Sequence, residues 1–179
     1  GYARERKQGK APGSAAAMSP IIEHPDVKRM LVDMRSKAAA ARAICYVTAA
    51  ALDRHHRETD PARKKAAHEE ASLLTPVAKA FGTDIGIEVA STGVQVHGGM
   101  GFVEETGAAQ HYRDARILAI YEGTNGIQSI DLVMRKLPLS GGETVKAAIA
   151  RYRAAAEAVA KLNDPAFGKA GQRLREAVD

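Results

Sequence analysis

A chain of 179 residues, 45% hydrophobic but only 4% aromatic, with no Trp and a single Cys, is long enough for one domain with its own core. It cannot form an internal disulfide. The net charge of +5 suits anionic ligands, but no Lys/Arg tract is interleaved with aromatics, which sets nucleic acid aside. No uninterrupted apolar run approaches the ~20 residues of a membrane span, so no membrane span and no signal peptide are expected, and a reducing, cytoplasmic compartment is the reading. The chain opens on Gly1 in mid-motif, which reads as a piece of a longer protein. Ala-rich composition with few β-branched runs predicts an all-α fold.

Residues 1–9 read as the end of a helix, with Arg4, Arg6, Lys7 and Lys10 as a basic cluster opposing its macrodipole. The Gly/Pro/Ser/Ala-rich stretch from Gly9 to Pro20 predicts a loop. His24-Pro25-Asp26 then opens a long helix, since Pro suits the first turn and Asp the positive end. Val27, Met30, Leu31, Met34, Ala38, Ala41, Ile44, Cys45 and Thr48 follow helical spacing. This spacing carries the helix to about Arg54, roughly 45 Å, and makes Cys45 a small buried hydrophobe. His55 and His56 lack the i, i+4 pairing or Cys partner of a metal site and read as solvated; no metal ligand set is expected.

A second long helix is predicted from Pro61 to about His97, on Leu74, Val77, Phe81, Ile85 and Val89. Pro76 should kink or break it. The two long helices are expected to pack as antiparallel neighbours in a four-helix-type bundle. Gly98, Gly99 and Gly101 then end the second helix. Bare amides there suit phosphate or adenine, and a plain helix stop explains them as well; the spacing is not that of a Rossmann fingerprint. A shorter helix follows from Glu104 through Tyr112. Asp114 is expected to pair with Arg113 or Arg116 and brace the turn beyond.

That turn carries Tyr121-Glu122-Gly123-Thr124-Asn125, between an apolar run (Ile117 to Ile120) and a second apolar series (Ile127, Ile130, Leu132, Val133). Gly123 permits φ > 0 and close approach of a ligand, and Thr124 or Asn125 could cap a helix from Asn125 to Lys136. A carboxylate held among apolar side chains has its pKa raised, which suits a base taking a proton from carbon. A solvated Glu in a turn fits the same pattern. Pro138 and Gly141-Gly142 end the helix. From Glu143 on, Val145, Ile149, Tyr152, Ala156 and Val159 share one face of an Ala-rich helix, broken at Asn163-Asp164-Pro165. That face is the candidate for exposed apolar surface.

Four stretches together resemble the acyl-CoA dehydrogenase family: Tyr2-Ala3-Arg4-Glu5-Arg6-Lys7-Gln8; Gln95-Val96-His97-Gly98-Gly99 with Gly101-Phe102; Arg113-Asp114-Ala115-Arg116; and Tyr121-Glu122-Gly123-Thr124 with Ile127-Gln128. They stand in the family's order and cover about the first three-quarters of the chain. The resemblance implies that residues 1–137 form that family's C-terminal helical bundle, without its N-terminal and middle β domains. Residues 138–179 resemble the start of the extra helical segment of a longer subgroup, which includes enzymes acting on 3-methylmercaptopropionyl-CoA and long-chain acyl-CoA.

The resemblance also implies an FAD cofactor, an acyl-CoA substrate, an electron acceptor such as electron-transfer flavoprotein, and a homo-oligomer, dimer or tetramer. It makes Glu122 the base that removes the α-proton while the β-hydride passes to FAD, with the Glu122 N–H on the thioester oxygen. Tyr121 and Gly123 would line the acyl cleft. Thr124, Asn125, Gly126 and Gln128 would touch the flavin or its ribityl and phosphate groups, although Gly126 departs from the Glu or Gln often found there. Arg6 and Gln8 would reach the FAD of a neighbouring subunit. Gln95, Val96, His97, Gly98 and Gly99 would meet its adenine-side half, His97 at a position where the family varies. His24 would sit near the isoalloxazine half. Gln8 runs into Gly9-Lys10 rather than the family's usual aromatic and Gly. Two other readings remain: a helical oligomerisation module with no activity of its own, and an acyl-CoA oxidase-like use of the same base.

Overall fold

The computed structural model describes residues 1–162 and 165–179, and its described residues form helices and turns joined by loops, without a strand. The Asn163-Asp164 break expected above lies outside the described residues. A one-turn helix α1 (Tyr2–Glu5) precedes a loop, and a 3-10 turn at Ile21–Glu23 leads into the long helix α2 (Pro25–Arg57). A three-residue connection leads into α3 (Pro61–His97), which Asp60 caps by accepting the Arg63 N–H at 2.8 Å. The close pairs along α2 and α3 run in opposite senses. Met34 meets Gly93, Lys37 bridges to Glu88 at 2.8 Å and Arg54 to Glu70 at 2.7 Å. The hairpin is therefore antiparallel, as its short connection requires.

α3 is the hub. It touches α2, the short α4 (Gly99–Phe102), α5 (Ala108–Leu118), α6 (Asn125–Asp131) and α7 (Glu143–Leu162). Its interior face is Ala67, Ala71, Leu73, Leu74, Pro76 and Val96. α2 and α5 contribute the small residues Ala51 and Ala108, which let the helix axes approach closely. Pro76 does not end α3. The helix runs through it, its ring is buried, and the neighbouring Thr75 hydroxyl donates to the Ala71 carbonyl at 2.7 Å. Burial of the ring offsets the lost backbone hydrogen bond.

α6 continues as a π-helical turn over Leu132–Lys136, and a tight turn at Leu139–Gly142 feeds α7. α7 docks on α3 through Glu69, which accepts the Ser140 and Thr144 hydroxyls at 2.7 Å each. Arg151 also pairs with Glu70 at 2.7 Å. The Ser140 hydroxyl, then that of Thr144, holds the Glu69 carboxyl below its ordinary value. α8 (Ala170–Val178) packs on α7, with Gly171 against Ala160.

Several expectations are corrected. The N-terminal helix stops at Glu5, because residues 6–8 are extended: the Arg6 carbonyl accepts from Ile21 N–H (2.8 Å) and Gln8 N–H donates to Ser19 (3.0 Å). Cys45 is exposed, not buried, since α2 packs only one face on α3 and Thr48 and Ala51 occupy it. The third helix begins at Ala108, after a 3-10 turn over Glu104–Thr106, and runs on to Leu118, so the Arg113–Arg116 run is helical. Asp114 accepts from Gln110 Nε2 at 2.6 Å, and the bracing arginine is Arg113, paired with Glu104 at 2.7 Å. On α7 the buried positions are Ala148 and Ala156. Ile149 and Tyr152 face outward, as expected of that apolar face, and Ala156 is the member of it that is buried.

Candidate active site

α5 ends at Leu118 and α6 begins at Asn125, and the six residues between them make a tight turn on the side of α3. Two successive residues adopt the left-handed region, Glu122 at φ 52° and Gly123 at φ 83°. Gly123 accepts this freely. For Glu122 the conformation costs about 1–2 kcal/mol, so the surroundings must impose it. A Cβ on Gly123 would lie 2.9 Å from Gln128 Nε2, the movable end of a flexible side chain, so it is the left-handed backbone that favours glycine here.

The surroundings are a clamp from α3. Lys79 Nζ donates to the Gly123 carbonyl at 2.7 Å and to Asn125 Oδ1 at 3.2 Å. Asn125 Nδ2 donates to Asp84 Oδ1 at 2.7 Å and to Thr83 Oγ1 at 3.0 Å. The cation thus faces the carboxamide oxygen and the carboxylate faces its nitrogen, which sets the orientation of Asn125. Gln128 Nε2 adds a second donor to the Gly123 carbonyl at 3.3 Å. Thr124 is the N-cap of α6, its hydroxyl accepting from Ile127 N–H at 3.4 Å. Gly126 is exposed.

The clamp leaves the carboxylate and N–H of Glu122 unengaged. The carboxylate is exposed, and the Glu122 N–H meets no acceptor among the described residues. Ile117, Ile120 and Tyr121 beside it are exposed apolar groups. The apolar enclosure expected around Glu122 is therefore not made by this chain alone. Sequence reading passed over Lys79, Thr83 and Asp84. The signal was there: Lys79 and Thr83, four apart, put polar groups on α3 amid Val77, Phe81 and Ile85.

A second cluster forms at the far end of α3. Arg6, Gln8, His24, Gln95, Val96, His97 and Gly98 line one cavity of about 470 Å³. Gly99, also expected here, is exposed just past the cavity. The extended pairing of residues 6–8 with 19–21 brings Arg6 and Gln8 here. His24 precedes α2 without capping it; its Nε2–H donates to the Gln8 carbonyl at 2.8 Å. His97 Nδ1–H donates to Gly93 at 2.7 Å, and its ring lies 4.6 Å from that of Tyr2. The Arg6 guanidinium has no carboxylate partner among the described residues, whereas Asp26 at the rim is already paired with Arg29 at 2.8 Å. Gly98, at φ 60°, ends α3, and nothing lies where its Cβ would be. An unpaired guanidinium, free carboxamides, an aromatic pair and an open glycine fit a phosphate-bearing cofactor with a planar base. The Glu122 turn docks near Lys79 and this cavity lies at His97, about 27 Å apart along α3 at 1.5 Å per residue.

Comparison with known proteins agrees with this architecture. The family described as acyl-CoA dehydrogenase, C-terminal domain, matches residues 2–137. The chain is 48% identical over 177 residues to 3-methylmercaptopropionyl-CoA dehydrogenase of Ruegeria pomeroyi, covering 98% of this chain and 30% of the relative. It is 37% identical over 147 residues to a butyryl-CoA dehydrogenase of Syntrophomonas wolfei subsp. wolfei, covering 82% of this chain and 24% of the relative. A solved structure described as "Bd2924 apo-form" superposes with a TM-score of 0.69 at 22% identity, over 99% of this chain and 34% of that one, which bears on the fold alone. The chain thus spans less than a third of the length of these two dehydrogenases.

Proposed function

The chain belongs to the acyl-CoA dehydrogenase family, whose C-terminal helical domain it carries, and we propose that it supplies the catalytic base of an FAD-dependent enzyme that converts an acyl-CoA thioester to the trans-2-enoyl-CoA. The observation that carries this reading is the Glu122 turn: a carboxylate presented at φ 52° with its own N–H unpaired. The carboxylate takes the α-proton. The N–H donates to the thioester oxygen, where charge develops as that proton leaves. Ile117, Ile120 and Tyr121 suit an acyl chain, whose arrival would exclude water from around the carboxylate. Tyr121 and Gly123 line this cleft.

FAD, when bound, supplies the acceptor for the β-hydride. Arg6 holds phosphate, and Gln8, His24, Gln95, Val96, His97, Gly98 and Gly99 form the rest of the cradle. Thr124, Gly126 and Gln128 border the flavin from the Glu122 side, while the carboxamide of Asn125 is spent on α3. The ~27 Å between the two clusters supports a homo-oligomer in which this cradle serves a neighbour's active site. Exposed Ile130, Val133 and Met134 offer apolar surface for such assembly. We place the boundary of the catalytic bundle at residue 137, an electron-transfer flavoprotein as electron acceptor, and the protein in the cytoplasm.

The test is anaerobic flavin bleaching of the holoenzyme by a panel of acyl-CoAs, with a Glu122→Gln variant. Gln keeps the size and cannot take the proton. The enzyme is expected to bleach, and the variant to bind acyl-CoA without bleaching. A variant that bleaches as fast as the enzyme removes Glu122 as the base.

A further inference from the structure

We propose that Lys79 is a positioning residue for this reaction: from the middle of α3 it fixes the carbonyl of Gly123, the residue after Glu122, and so aims the Glu122 carboxylate and N–H. The inference rests on the reading of Glu122 as the base. Lys79 lies 44 residues from Gly123 in sequence, yet its ammonium is 2.7 Å from the Gly123 carbonyl. It is half-buried and forms no ion pair among the described residues. A Lys that served only packing would keep its head in water. Here the head is spent on two neutral acceptors, one of them in the peptide that joins Glu122 to α6.

The geometry makes that carbonyl the control point of the turn. Glu122 and Gly123 both sit at positive φ, a pair of conformations that rotation of the intervening peptides relaxes. The Gly123 carbonyl cannot rotate while Lys79 and Gln128 both donate to it. Asn125, the next tethered residue, shares the same ammonium through its Oδ1 at 3.2 Å. One cation thus holds both ends of the segment 123–125 against α3. Rotation of the Gly123 peptide would carry the Glu122 carboxylate away from its place, and a displacement of about 1 Å costs on the order of 100-fold in rate.

The experiment uses the flavin-loaded holoenzyme with Lys79→Met, Lys79→Arg and Glu122→Gln variants. Met keeps the length and loses the donor; Arg keeps charge and donors. Rate and affinity are separated by following anaerobic bleaching against acyl-CoA concentration, with the α-deuterated substrate in parallel. Hydrogen exchange of amides 124–128 reads the turn without reference to activity. Lys79→Met is expected to slow saturated bleaching about 10- to 100-fold. Its substrate dissociation constant should stay within about threefold, its isotope effect should rise, and those amides should exchange faster while the rest of α3 stays protected. Lys79→Arg is expected to recover part of the rate. If Lys79→Met bleaches at the enzyme's rate while Glu122→Gln is silent, this inference alone fails. A lost rate that merely tracks lost flavin, with an unchanged isotope effect, also overturns it. If Glu122→Gln bleaches normally, the base assignment falls and the role of Lys79 falls with it.

Discussion

Replacing Glu122 by glycine should abolish the chemistry and tighten the turn. Glu122 sits at φ 52°, where an L-residue pays about 1–2 kcal/mol and glycine pays nothing. Glycine also has more freedom to lose on folding, worth about 0.5–1 kcal/mol in the opposite direction. The exposed Glu122 side chain makes no hydrogen bond or ion pair among the described residues, so little else is lost. The net expectation is that Glu122→Gly holds the turn closed by about 0.5–1 kcal/mol more than Glu122→Ala or Glu122→Gln, which keep the strain. At about 1.4 kcal/mol per tenfold, the opening equilibrium changes by roughly two- to fivefold. Native-state hydrogen exchange reads it at the Asn125 N–H, bonded to Ala119 at 3.2 Å, and at the Gln128 N–H, bonded to Thr124 at 3.1 Å. The Gly variant should exchange more slowly there than the Ala and Gln variants, and all three should fail to bleach the flavin. If the Gly variant exchanges as fast as Ala or faster, the left-handed backbone at residue 122 is not a source of strain and the argument for a clamped turn is wrong.

Two further outcomes are expected. A Cβ on Gly101 would fall 2.2 Å from the Val94 carbonyl oxygen and 2.9 Å from His97 Cβ; these atoms belong to α3 and cannot swing aside. Gly101→Ala should therefore destabilise by about 1–3 kcal/mol and, by displacing His97, weaken flavin retention; thermal unfolding and flavin release against the unmodified enzyme check both. At Glu69 the hydroxyls of Ser140 and Thr144 depress the carboxyl below 4.5. The docking of α7 that it supports is present above that value and is lost as pH falls through the lower, folded value. Hydrogen exchange over residues 140–148, corrected for intrinsic rates, should rise below about pH 4.5. Glu69→Gln should raise it at neutral pH by the equivalent of about 1–2 kcal/mol.

Much of this protein is legible in its sequence. The apolar period through Val27, Met30 and Met34, with Pro25 ahead of it, placed the start of α2. The start at Pro61, the cap offered by Thr124 or Asn125 and the glycine at 98 placed three helix ends to the residue or nearly so. The pairing of Glu122 with Gly123 marked the turn that matters. These signals are local: a cap, a glycine or a helical period acts within one or two turns of the chain, so the sequence states it directly. The N-terminal segment was misread for the same reason. Residues 1–9 look helical by composition, and only Ser19 and Ile21, more than ten residues away, draw Arg6 to Gln8 into an extended path.

Tertiary structure alone decided which face of each helix meets which neighbour. Composition did not separate Cys45 from Thr48, yet one is exposed and the other buried, because α2 packs one face on α3. Arg113 and Arg116 were equal candidates for Asp114, and the fold spent Arg113 on Glu104 and gave Asp114 to Gln110. Lys79 reads as one more exposed helix cation until α6 is laid against α3. Arg6, His24 and Gln95 become neighbours only when the loop closes and the hairpin folds back on itself. Contacts across 40 to 90 residues depend on the relative rotation and register of whole helices. Those are set by the summed packing of small residues such as Ala51, Ala67, Ala71 and Ala108, and no single position in the sequence encodes that sum. The chain's own residues therefore mark the Glu122 turn, and the packing of its helices determines how that turn is held.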